Sequence, residues 1–77
     1  MTVGFLGAGK MAEAIVASLA QTGLCNPWDV MACDKAPERR ALMAEQYGVV
    51  VTEDVVQTVK TSKVLVLAVK PQDLDAL

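Results

Sequence analysis

An apolar run that stops at a glycine, followed at once by a helical pattern, leaves this chain few folds to choose from. Val3–Leu6 reads VGFL and suits a buried strand. Lys10–Thr22 then changes period. Met11, Ile15 and Leu19 recur every four residues with Ala14 and Ser18 beside them, while Glu13 and Gln21 fall elsewhere. This spacing predicts a helix with one apolar face. Gly23 fits the position just past its end, and Asn26-Pro27 marks a turn.

Between strand and helix lies Gly7-Ala8-Gly9-Lys10-Met11-Ala12. Each small residue has a physical use there. Gly7 permits a tight turn, Gly9 offers no side chain to block a pyrophosphate, and Ala12 lets the helix pack close to the strand. The unpaired N–H groups at the helix start face outward at its positive end and suit an anion. With this context the turn predicts a dinucleotide site. A mononucleotide P-loop comes close, because residues 4–10 spell GxxxxGK. It fails at Met11, where a hydroxyl would be needed for Mg²⁺, and at Gly4, which lies inside the strand.

The remaining elements repeat the alternation. Val30–Cys33 predicts a second strand that ends at Asp34. Pro37 and Glu38 open a second helix that Gly48 closes. Residues 49–51 form a β-branched third strand, and Thr52 reads as the N-cap of a short helix through about residue 60. Residues 64–69 are apolar without alternation, as expected of a fourth strand covered on both faces, and Lys70-Pro71 ends it. Strands and helices in this order imply right-handed crossovers and a parallel sheet. The expected class is α/β: a Rossmann-type doubly wound parallel sheet, amino-terminal part only, with strand order 3-2-1-4.

An acidic residue at the end of the second strand is expected to hold the adenosine ribose, and Asp34 stands 25 positions after Gly9. Alone it favours NAD. Lys35, Arg39 and Arg40 argue the other way, since they can pair with a 2′-phosphate or simply form a solvated helix face. Trp28 reads as a packing anchor in the loop before strand two, Met31 and Met43 as core, and Met11 as a cofactor contact.

Composition removes other classes. The net charge is −2 with scattered basic residues, which argues against a nucleic-acid surface. Two cysteines without CxxC spacing and no histidine argue against a metal site, and reduced thiols fit a cytoplasmic protein. The longest apolar run is too short for a membrane span, and no secretory signal is visible. Seventy-seven residues is about half of an ordinary domain. Residues 73–77 break off in what reads as a helix start, so we expect a fragment.

The residues resemble one family, the pyrroline-5-carboxylate reductases. The resemblance runs through VGFLGAGKMAEAI at 3–15, APER at 36–39, Gly48-Val49 and VLAVKPQ at 66–72. It implies an amino-terminal dinucleotide-binding domain, of which residues 1–77 are a portion, and an all-helical carboxyl-terminal dimerisation domain that this chain lacks. It also implies a homo-oligomer that uses NADPH, or alternatively NADH, to reduce the C=N bond of 1-pyrroline-5-carboxylate to L-proline. Carried over by position, Leu6, Gly7, Ala8, Gly9, Lys10 and Met11 would line the pyrophosphate. Asp34 would sit by the ribose, and Ala68, Val69, Lys70 and Pro71 would border the nicotinamide half. This chain departs from the family at Val55, where many members carry Asn, at Lys63, usually acidic, and at Lys10, often Asn. No residue is assigned as catalytic acid, base or nucleophile, as suits hydride chemistry performed by a cofactor. The chain alone is expected to be inactive. Alternative readings are a β-hydroxyacid or prephenate-type dehydrogenase with the same turn, or a non-catalytic dinucleotide-binding module.

Overall fold

The structure is a computed structural model and describes residues 1–68. Four parallel strands, β1 (Val3–Leu6), β2 (Val30–Cys33), β3 (Val50–Thr52) and β4 (Val64–Leu67), form one sheet in the order β3-β2-β1-β4. Three helices connect them: α1 (Lys10–Thr22), α2 (Pro37–Tyr47) and α3 (Val55–Thr61). This is the expected class and strand order.

Alternation along the strands sorts residues between two faces. Val3 and Phe5 of β1, with Val30 and Ala32 of β2, meet Ala12 and Val16 of α1 and Met43 of α2. Met31 and Met43 are both buried, as the sequence suggests. Gly4 points to the opposite face, where a β-carbon would collide with Ser62 just after α3 and press on Thr58 within it. A side chain there would hold α3 off the sheet. Glycine is therefore required at Gly4 by close helix–strand approach. Thr58 itself is fully buried and donates to the Asp54 carbonyl at 2.9 Å.

Helix ends follow the sequence in part. α1 and α2 stop at Gly23 and Gly48, whose N–H groups close the last turn on the Leu19 and Ala44 carbonyls. The start of α3 lies two residues later than expected. Thr52 belongs to β3, and Asp54 is the N-cap, its carboxylate accepting from the Gln57 N–H at 3.0 Å. Thr52 instead accepts from the Asp54 N–H, which shapes the turn into that cap. Two neighbouring side chains were competent to cap, and the strand took the first.

Three packing expectations are corrected. The docked stripe of α1 is Ala12 and Val16 flanked by Ile15 and Leu19, while Met11, Ala14 and Ser18 are exposed. Ala12 and Val16 face the core in place of Met11, which is turned outward. Trp28 is 65% exposed in a 3-10 turn, Pro27–Asp29, and is not the buried anchor expected. Pro27 of the same turn lines a small cavity together with Val16 and Val49. Finally, Val64, Leu65 and Leu67 are exposed, so β4 is not covered on both faces among the described residues. Among the described residues β4 is an edge strand, and α3 packs over β1 and β2. Among the described residues, no helix is long and apolar enough to cross a membrane.

Candidate functional site

Parallel pairing brings three chain segments to one edge of the sheet. Leu6 is in register with Cys33 on one side and Leu67 on the other. The next residues, Gly7, Asp34 and Ala68, therefore sit side by side just beyond the carboxyl ends of β1, β2 and β4 respectively. Hydrogen bonds fix this row: the Gly7 N–H donates to the Cys33 carbonyl and the Ala68 N–H to the Leu6 carbonyl, both at 2.8 Å. The row lies where the strand order reverses between β1 and β4, and ligands of such sheets bind in that crevice.

Gly7 has φ 110°, a conformation that strains any L side chain. Gly9, the N-cap of α1, is different. Its φ of −78° is open to every residue, and a β-carbon there would meet nothing within 4 Å. Neither backbone nor packing demands glycine at this position. Bare space over a helix start with no side-chain cap fits an anion approaching the backbone closely. The residues present thus fit a dinucleotide pyrophosphate. Lys10 and Met11 are exposed beside this space, Met11 at 54%.

Asp34 does more than the sequence indicated. One carboxylate oxygen accepts from the Ala8 N–H at 2.8 Å and the other from the Ala36 N–H at 2.9 Å. It ties the glycine turn to the start of α2. The two arginines are likewise turned onto the chain. Arg40 donates to the Asp34 and Lys35 carbonyls, with Glu53 a distant 3.8 Å away. Arg39 donates through Nε to the Ala8 carbonyl at 2.6 Å and through Nη2 to Glu13 at 3.0 Å. Lys35 alone of the basic trio is exposed.

The sequence marks Glu13 only as a polar residue off the apolar face of α1. It accepts from the Tyr47 hydroxyl at 2.8 Å as well as from Arg39, and joins α1 to both ends of α2. The Tyr47 bond, then Arg39, hold the Glu13 carboxyl below the usual carboxylate range, and the same bond to Glu13 raises the Tyr47 phenol. Nothing in the spacing of Glu13, Arg39 and Tyr47 announces this contact, since the pairs lie 26 and 34 positions apart. Cys33 is a buried free thiol pushed up by burial, and Cys25 is also free. Among the described residues no cluster could hold a metal ion. Of the other expected site positions, Val69, Lys70 and Pro71 lie outside the described residues.

Comparison with known proteins gives this geometry a family. The chain is 38% identical over 71 residues to pyrroline-5-carboxylate reductase of Pisum sativum, covering 92% of this chain and 26% of that protein. It is 33% identical over 75 residues to the enzyme of the same name from Methanosarcina acetivorans, covering 97% and 28%. A solved pyrroline-5-carboxylate reductase from Coxiella burnetii superposes with a TM-score of 0.89 at 31% identity, covering 97% of this chain and 27% of that one. The chain spans about a quarter of the length of these relatives. Residues 2–77 match the family described as "NADP oxidoreductase coenzyme F420-dependent". The relatives named here are pyrroline-5-carboxylate reductases, and by the family match the chain itself belongs to this oxidoreductase family.

Proposed function

We propose that residues 1–77 supply the cofactor-binding part of a cytoplasmic reductase that converts 1-pyrroline-5-carboxylate to L-proline with NADPH or NADH. The observation that carries this reading is the bare space at Gly9, directly over the start of α1 and beside the strand-order reversal. In this reading Leu6 to Met11 receive the pyrophosphate, Asp34 the adenosine ribose, and Ala68 to Pro71 the nicotinamide half. The bound nicotinamide supplies the hydride. The chain's own residues bind and orient it, and we assign the substrate pocket and oligomer contacts to chain outside residues 1–77. Between the two cofactors, the commitment of Arg39 and Arg40 to backbone carbonyls leaves Lys35 as the exposed cation for a 2′-phosphate.

Gly9→Ser tests the reading, because serine is a good N-cap and its side chain enters space the protein leaves empty. Thermal stability is expected to hold or rise by a few tenths of a kcal/mol. Binding of NADH and NADPH, measured by calorimetry, is expected to weaken at least about tenfold. Unchanged affinity for both would remove Gly9 from the site. For the reaction itself, failure of the full-length protein to reduce pyrroline-5-carboxylate with either cofactor would overturn the substrate assignment.

A further inference from the structure

The Ala8 residue at the apex of the glycine turn is fully buried and held from both sides. Its N–H is taken by Asp34 at 2.8 Å and its carbonyl by Arg39 Nε at 2.6 Å. A peptide unit is planar and trans, so fixing one end fixes the other. With the Ala8 carbonyl directed at Arg39, the Gly9 N–H on the same peptide must point the opposite way. That N–H is the first donor of the run that opens α1.

Arg39 is itself held. Its Nη2 meets Glu13 one turn into α1, and the second oxygen of Glu13 accepts from Tyr47 at the far end of α2. Arginine suits the place because its planar fork offers two donors at a fixed angle, one for a backbone carbonyl and one for a carboxylate. We propose that Arg39, braced by Glu13 and Tyr47, is a positioning residue for the dinucleotide pyrophosphate. It sets the direction of the Gly9 N–H and does not serve as a ligand of the ribose 2′-phosphate. This rests on the dinucleotide reading given above.

The two roles of Arg39 separate cleanly by cofactor, since the pyrophosphate is common to NADH and NADPH while the 2′-phosphate is not. Arg39→Lys keeps the charge but loses the fork. Calorimetric titration of the protein and this variant should show Kd rising for both cofactors by the same factor, about tenfold. A rise confined to NADPH would make Arg39 a 2′-phosphate ligand and overturn the proposal. An unchanged Kd for both, with or without a lower melting midpoint, would reduce Arg39 to a packing role and overturn it as well. Tyr47→Phe keeps the ring and removes only the hydroxyl that braces Glu13, so it decides the matter if Arg39→Lys does not fold. Its expected effect is a smaller parallel rise, about two- to threefold, and no rise overturns the bracing role. If the unaltered protein binds neither cofactor, the dinucleotide reading has failed, which is a different result from binding that Arg39→Lys leaves intact.

Discussion

At the scale of single residues, Asp34 shows how one side chain carries two demands. Its position at the end of β2 suits it to accept from a ribose hydroxyl, and its charge opposes a 2′-phosphate. Yet both oxygens already accept from backbone N–H groups, of Ala8 in the turn and Ala36 before α2. Removing the carboxylate therefore frees both N–H groups and, in the reading proposed above, changes discrimination as well. For Asp34→Ser, which leaves one uncharged hydroxyl oxygen in place of two carboxylate oxygens, affinity for NADH and NADPH should both fall. NADH should fall further, so that the ratio moves toward NADPH by about tenfold. Parallel titrations with the two cofactors check this, and an unchanged ratio would end the assignment of Asp34 to the ribose. The Gly7 turn and the place of Asp34 were legible in the sequence, because a backbone with φ 110° restricts residue type and the end of β2 lies at a fixed offset from the turn. Glu13, Arg39 and Tyr47 were not. Their network depends on how α1 and α2 lie across the sheet, and no local pattern encodes a contact between residues so far apart.

At the scale of elements, period and punctuation identified the four strands and three α-helices of the described residues, while one-residue competition decided their edges. The third strand is displaced by one residue from 49–51 to Val50–Thr52, and the cap of α3 passes from Thr52 to Asp54. Both residues satisfy the local rule for a cap, so the choice is made by pairing of Thr52 with Cys33 in the sheet. α3 has only seven residues, too few to be stable without tertiary contacts and a cap. Asp54→Ala should therefore cost about 1 kcal/mol of stability. Denaturant unfolding of the variant measures it, and Thr52→Ala should cost less if Asp54 is the cap that matters. Apolarity of the fourth strand was also legible, but its covering was not. Hydrophobic sequence records that a strand prefers burial; it does not name the neighbour that provides it. β4 keeps one paired edge, on β1, and leaves Val64 and Leu67 exposed among the described residues.

At the scale of the whole molecule, the candidate site is a product of folding and has no counterpart in the unfolded chain. The turn after β1, the end of β2 and the residue after β4 meet only when the sheet is formed, because they come from positions near 7, 34 and 68. A ligand of that site binds the folded state and not the unfolded one, so it stabilises by mass action whatever its individual contacts are. At a free cofactor concentration of one hundred Kd the gain is about 2.7 kcal/mol. For a chain of this size each kcal/mol moves the midpoint by about 4–8 °C, so the thermal transition should rise by about 10–20 °C. Differential scanning fluorimetry across a cofactor series gives the measurement, with the rise growing logarithmically with concentration. In Gly9→Ser the same rise should require at least about tenfold more cofactor while the ligand-free midpoint holds or rises slightly. A midpoint that does not respond to either cofactor at millimolar concentration would mean that the assembled edge of the sheet is not a dinucleotide site.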